Sequence, residues 1–168
     1  ISGAGYPGVA SLDITDNVFP YIAGEEPKVE IEAQKILGTL TPNGIQKADF
    51  TVSAQCFRVN VIDGHTASVR VNLKETATLE DVVEAMRSFP SLDLHSSPKR
   101  FIDVTDEPTR PQPRLDRDNG DGMTITVGRV FPDNIFDYRF VALSHNTVRG
   151  AAGSAVLNAE LLIQKGII

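Results

Sequence analysis

Met123-Thr124-Ile125-Thr126-Val127-Gly128-Arg129-Val130-Phe131 and Phe136-Asp137-Tyr138-Arg139-Phe140-Val141-Ala142-Leu143-Ser144 flank Pro132-Asp133-Asn134, and the reading of this stretch decides the fold. Apolar and polar residues alternate with period two on both sides of a turn composition, which predicts a hairpin. A hairpin makes its strands antiparallel, so the sheet is expected to be largely antiparallel. Downstream, Val148, Ala151, Ala152, Ala155, Ala159, Leu162 and Ile163 form an apolar stripe on a helix begun by Asn146 or Thr147. Its small residues suggest close packing against strands. Upstream, Thr78 is the expected cap of a short helix with Glu80 and Asp81 in its first turn, Leu79, Val82, Val83 and Met86 on one face, and Pro90 beyond its end. Residues 25 to 38 carry Val29, Ala33, Ile36, Leu37 and Leu40 at helical spacing, with Glu25 and Glu26 early and Gly38 as a stop. Lys28, Glu32 and Lys35 fall on that helix's polar side, where exposed ion contacts are the ordinary outcome. The fold class that follows is α+β, a largely antiparallel mixed sheet with helices packed on one face, in a single domain over 1–168.

Between Phe50 and Glu75 the alternation continues across Asp63-Gly64, which reads as a hairpin or one sharply bulged strand. A two-residue turn pairs Val61 with Thr66 and Val59 with Ser68. A three-residue loop with Gly64 in the left-handed region pairs Val61 with His65, Val59 with Ala67 and Phe57 with Val69, and is preferred because it joins apolar faces. That register puts Arg58 and His65 on opposite faces unless a bulge re-aims the imidazole. Residues 91 to 121 contain a short apolar run from Phe101 to Val104 and prolines 98, 108, 111 and 113, and read as a long surface excursion. Within it, residues 116 to 122 imitate a calcium loop. Gly120 stands at the third ligand position and Val127 where the bidentate glutamate belongs, which argues against a metal site. With helices on one sheet face, the other is expected to stay partly apolar through Ile125, Val127, Phe136, Tyr138 and Phe140 and to receive a second copy.

A chain of 168 residues, 41% hydrophobic and 23% charged, fills one ordinary core. The net charge of −6 disfavours a nucleic-acid partner, which needs a basic face. No run approaches the ~18 apolar residues of a membrane span, and Ile1 opens no signal pattern. One cysteine permits neither an internal disulfide framework nor a cysteine zinc cluster, which fits a cytoplasmic setting.

The chemistry concentrates in Cys56-Phe57-Arg58-Val59-Asn60-Val61-Ile62-Asp63-Gly64-His65. A strand holds an arginine fork at fixed geometry for a carboxylate, and a turn leaves a histidine reachable by substrate. Cys56 sits in an apolar strand with no signature of a depressed pKa and reads as structural. His95 and His145 lack partners at ligand spacing and read as structural or solvated. Gly3, Gly5 and Gly8 satisfy G-x-G-x-x-G without the strand before and the helix after that the dinucleotide fingerprint requires.

Arg58 and His65, seven positions apart around a Val-x-Val core and a Gly-His pair, resemble the signature of the aspartate-semialdehyde dehydrogenases. Ser2-Gly3-Ala4-Gly5-Tyr6-Pro7-Gly8-Val9 resembles the segment after that family's catalytic glutamine, Glu32-Ala33-Gln34-Lys35-Ile36-Leu37 its substrate-binding helix, and Asn146-Thr147-Val148-Arg149-Gly150-Ala151-Ala152-Gly153 the start of its last helix. The Gly-Tyr-Pro-Gly form is similar to the archaeal and fungal branch. The resemblance implies a carboxy-terminal catalytic and dimerisation domain like that of glyceraldehyde-3-phosphate dehydrogenase. The nucleophilic cysteine and the dinucleotide-binding domain would precede Ile1, and the chain alone is expected to be inactive. The whole enzyme would convert β-aspartyl phosphate to the semialdehyde with NADPH, in the biosynthesis of lysine, threonine and methionine. By the same resemblance His65 transfers protons, Arg58 binds the substrate carboxylate, Glu32 its amino group and Lys35 the phosphate. Ser2, Gly3 and Asn146 are placed near NADP, which the absent domain mainly binds. A homodimer is implied, with a tetramer open for the full length. The alternatives are an N-acetylglutamyl-phosphate reductase-like domain or a noncatalytic oligomerisation module. Arg58, His65, Glu32 and Lys35 are expected to line one cleft.

Overall fold

The 123–144 stretch folds as its alternation predicts: in the computed structural model, which describes residues 13–168, Ile125–Pro132 and Tyr138–Ser144 pair antiparallel. Asp133 shapes the turn, its carboxylate accepting the Ile135 and Phe136 amides at 3.0 and 3.1 Å. In chain order the elements are α1 (Glu25–Ile36), β1 (Thr39–Thr41), β2 (Gly44–Gln46), β3 (His65–Val71), α2 (Leu79–Arg87), β4 (Ile102–Thr105), α3 (Pro113–Asp116), β5 (Ile125–Pro132), β6 (Tyr138–Ser144) and α4 (Gly153–Gln164), with a π-helical turn at Val148–Ala152 before α4. They fall into two compact units, one ending at Val61 and the other running from Ile62 to Ile168.

In the first unit α1 forms where its spacing predicts, but its polar side chains do the docking. Glu26, Glu30 and Gln34 recur every four residues and so share one helix face. Glu26 Oε1 accepts the Cys56 amide at 2.9 Å, Glu30 Oε1 accepts the Ala54 amide at 3.0 Å, and Gln34 Nε2 donates to the Phe50 carbonyl at 2.7 Å. An extended segment is thereby fastened to a helix rather than to a strand. Val29, Ile36, Leu37 and Leu40, expected as the inward stripe, are exposed, because the inward face belongs to Glu26, Glu30, Ala33 and Gln34. Lys28 pairs with Glu25 at 3.5 Å. The β1–β2 hairpin closes through Pro42-Asn43, with Leu40 opposite Ile45.

The hairpin expected between Phe50 and Glu75 does not form. Residues 51–62 make no strand, and among the described residues an isolated bridge pairs Arg58 with Phe19. β3 instead pairs with β6, His65 opposite Ser144 and Val71 opposite Tyr138, so His65 does not face Val61. The reason is physical: an alternating strand needs some backbone partner, and α1 supplies it on one side of Ile62 while β6 supplies it on the other.

The second unit holds a four-stranded sheet in the order β3-β6-β5-β4, antiparallel except for β4 against β5. β4 corrects the expectation of a surface excursion over 91–121: Phe101 is buried and Ile102–Thr105 joins the sheet. Val104, Val127, Ala142 and Ala67 stand in one cross-strand row. α2 packs on β4 and β5, and Tyr138 on the same sheet face donates to the Ala77 carbonyl at 2.6 Å. The face expected to stay open is therefore covered by α2 over β4 and β5. Val127 and Tyr138 are buried, Ile125 and Phe140 half-buried, and of the five only Phe136 is exposed. On the opposite face Thr126 and Leu143, each 1% exposed, lie beneath the 106–122 loop, whose Asn119 donates to Thr126 Oγ1 at 2.9 Å.

Thr78 caps α2 as expected: its Oγ1 accepts the Asp81 amide at 3.1 Å while Asp81 Oδ2 accepts the Thr78 amide at 2.9 Å. Hydrogen bonds from the Thr78 backbone and side chain hold the Asp81 carboxyl below its usual range. Thr78→Ala is expected to lower stability by about 1 kcal/mol, read as a shift of the urea midpoint with unchanged slope. A change in slope instead would mean that the cap was not what the substitution removed.

The last helix turns differently from its expected stripe. Leu157 is buried with Phe101 and Met123, and Gly153, Ser154, Glu160 and Leu161 share that side. Ala151, Ala152, Ala155, Ala159, Leu162 and Ile163 are exposed. The helix is apolar on both sides, and it is Leu157 that joins the Phe101–Met123 cluster while the alanine side stays exposed. Arg149, in the preceding π-turn, stacks over the Phe101 ring at 4.7 Å, and burial pushes its pKa down.

Candidate functional site

The candidate residues divide between the two units. Arg58, Glu32 and Lys35 belong to the first, and His65 and Asn146 to the second. Ser2 and Gly3 lie outside the described residues.

In the first unit, Arg58 is half-buried and its backbone is fixed by reciprocal bonds with Phe19, N–H to carbonyl at 2.9 and 3.0 Å. Val52, Ala54, Cys56 and Arg58 alternate as the less exposed residues of the extended segment, so the guanidinium shares a face with the residues that α1 fastens. Glu32 and Lys35 stand on the exposed side of α1. Among the described residues no ion pair engages Arg58, Glu32 or Lys35. Two cations and one anion are thus uncommitted, which suits a ligand carrying complementary charges at separated points.

Cys56 is the wrong kind of thiol for a nucleophile. Burial pushes its pKa up, and the Glu26 and Glu25 carboxylates push it the same way, whereas a reactive cysteine needs a cationic surrounding.

In the second unit, His65 is exposed at the first position of β3, the edge strand of the sheet. Gly64 before it has φ +116°, and a Cβ there would come within 3.3 Å of Leu143 Cδ1, so the turn requires glycine. Asn146 Oδ1 accepts the Gly64 amide at 2.9 Å, and Arg117 Nη1 donates to the Asp63 carbonyl at 3.4 Å. His145 is buried: its Nδ1 accepts the Thr147 and Val148 amides at 3.2 and 3.3 Å, capping the π-turn, and its Nε2 lies 3.8 Å from Asp118. His95 is exposed. Among the described residues no three His, Cys, Asp or Glu side chains gather to hold a metal.

The Gly64 clamp was not visible in the sequence, since Asn146 lies 82 positions from its partner.

Residues 1–149 match the family described as semialdehyde dehydrogenase, dimerisation domain. An aspartate-semialdehyde dehydrogenase of Archaeoglobus fulgidus is 55% identical over 168 residues, 100% of this chain and 49% of that protein. One of Aspergillus fumigatus is 53% identical over 180 residues, covering 100% and 50%. The crystal structure of the Candida albicans aspartate-semialdehyde dehydrogenase with NADP superposes with a TM-score of 0.86 at 46% identity, over 96% of this chain and 48% of that one. An aspartate-semialdehyde dehydrogenase II of Vibrio cholerae complexed with ASA gives 0.73 at 26% identity, over 90% and 42%. The chain spans about half the length of the relatives it matches.

Proposed function

Since this chain belongs to the semialdehyde dehydrogenase dimerisation-domain family, we propose that it is the substrate-binding and dimerisation half of an NADP-dependent aspartate-semialdehyde dehydrogenase. The observation that carries this reading is identity of 55% along the whole chain to an enzyme of that name. The geometry supports it with a histidine on a clamped turn and with two cations and an anion left unpaired.

In this reading the rest of the enzyme supplies a cysteine thiolate that attacks the acyl phosphate, and NADPH supplies the hydride. The residues of this chain bind, orient and move protons. Arg58 holds the substrate carboxylate with its planar fork, Glu32 its ammonium group, and Lys35 the phosphate as a point cation. His65 takes the proton of the thiol and returns it to the oxygen of the hemithioacetal, exchanges that suit an imidazole near neutral pH. Ser2, Gly3 and Asn146 bind the cofactor. The enzyme is a homodimer of the cytoplasm, for which the family's dimerisation role and the exposed apolar side of α4 are the support. Among the described residues no helix is long and apolar enough to cross a membrane.

The test is turnover. With aspartate semialdehyde, phosphate and NADP, this chain alone is expected to form no NADPH, because acid-base and binding groups have nothing to activate without a nucleophile. The complete enzyme containing it is expected to turn over. Activity of the chain alone that vanishes on Cys56→Ser would overturn the reading and the structural assignment of Cys56 together.

A further inference from the structure

The ladder between β3 and β6 ends at His65 opposite Ser144. One step further along an antiparallel pair, Gly64 would face His145. The backbone of His145 is no longer available there, because its carbonyl accepts the Gly150 amide at 2.9 Å and its ring caps the π-turn. The side chain of the next residue takes over: Asn146 Oδ1 accepts the Gly64 amide, which fixes that oxygen as the acceptor. The carbonyl of the same peptide, that of Asp63, accepts from Arg117 Nη1 at 3.4 Å. The Asp63–Gly64 peptide, one residue before His65, is therefore held through both its N–H and its carbonyl at a strand terminus that would otherwise fray.

We propose that Asn146 is a positioning residue for His65, extending the β3–β6 ladder by one side-chain rung so that the imidazole leaves the turn in one direction. The inference rests on the reading of His65 as the proton-transfer group and adds to it how the group is aimed.

The substitutions Asn146→Asp and Asn146→Ala test this role, since aspartate keeps an oxygen acceptor of the same reach and alanine has none. In the complete enzyme Asn146→Ala is expected to lower kcat about tenfold, the worth of one net hydrogen bond, with the KM for aspartate semialdehyde little changed. Asn146→Asp is expected to recover most of that kcat. Hydrogen exchange of the Gly64 amide gives a readout apart from activity: faster by about tenfold in Asn146→Ala and near wild type in Asn146→Asp, since exchange reports opening of that bond. Unchanged Gly64 exchange in Asn146→Ala, or an unchanged kcat despite faster exchange, overturns the positioning role. So does Asn146→Asp as damaged as Asn146→Ala with the loss in the KM for NADP. A wild-type enzyme inactive on the semialdehyde overturns the functional reading itself, and the two failures are distinguishable because the exchange measurement needs no substrate.

Discussion

Asp116→Ala is expected to destabilise the protein by about 3 kcal/mol, with a fall in Tm of roughly 6–12 °C. The side chain is 1% exposed and ion-paired with Arg110, while its Oδ2 also accepts the Gln112 amide at 2.6 Å. Burial by itself raises the carboxyl pKa, but the hydrogen bonds from Arg110 and Gln112 and the Arg110 charge outweigh it, leaving a net depression. A depressed folded value means that Asp116 binds its proton more readily unfolded. Its contribution is therefore complete above the unfolded value of about 4 and is lost as the pH falls through the lower folded one. Removing the carboxylate leaves a guanidinium and a loop amide without their acceptor above a well-packed sheet. Urea unfolding at neutral pH decides it: a loss under about 1 kcal/mol would place Asp116 among ordinary surface charges.

His65→Asn in the complete enzyme is expected to lower kcat by about 10²–10⁴-fold, the range for loss of a general acid-base group. The semialdehyde KM should change far less, because asparagine keeps polarity and, in the proposed reading, the binding charges sit on Arg58, Glu32 and Lys35. Folding should be nearly unaffected, as His65 is exposed on an edge strand. Steady-state kinetics with circular dichroism of the same sample separates the effects. A kcat loss below tenfold would move the proton transfers to another group.

The β5–β6 hairpin and the capped helix α2 were legible because each is decided by neighbours in sequence: alternation around Asp133 in one, Thr78 and Asp81 three residues apart in the other. The path of residues 50 to 62 was not. Alternation reports which side chains share a face, but it does not name the backbone's partner, and here the partner is a row of polar side chains on α1. β4 was hidden for a related reason, being four residues among prolines whose pairing partner, β5, lies beyond the loop. For α4 both faces are apolar, so periodicity alone could not choose between the alanine side and the Leu157 side. Asp116 drew attention as part of a calcium-like pattern, while its role is to anchor the loop over Thr126. Thr41-Pro42-Asn43-Gly44 carried a turn signal between Leu40 and Ile45 that would have predicted the β1–β2 hairpin. Of the candidate site, Arg58 and His65 stood out by residue type, whereas their separate supports, Phe19 for one and Asn146 for the other, are set by contacts distant in sequence.

The fastening of the 50–56 segment to α1 has a consequence for how the protein can vary. Every rung joins a helix side chain to a backbone group, so the contract is one-sided: the segment contributes only amides and a carbonyl, which any residue other than proline supplies. Positions 54 and 56 can therefore drift in identity without loosening the attachment, while positions 26, 30 and 34 must each keep a polar side chain of the right reach. The tolerant segment carries Arg58 at its end, and the intolerant helix carries Glu32 and Lys35. Selection acting on three helix positions thus preserves the alignment of a guanidinium it never touches.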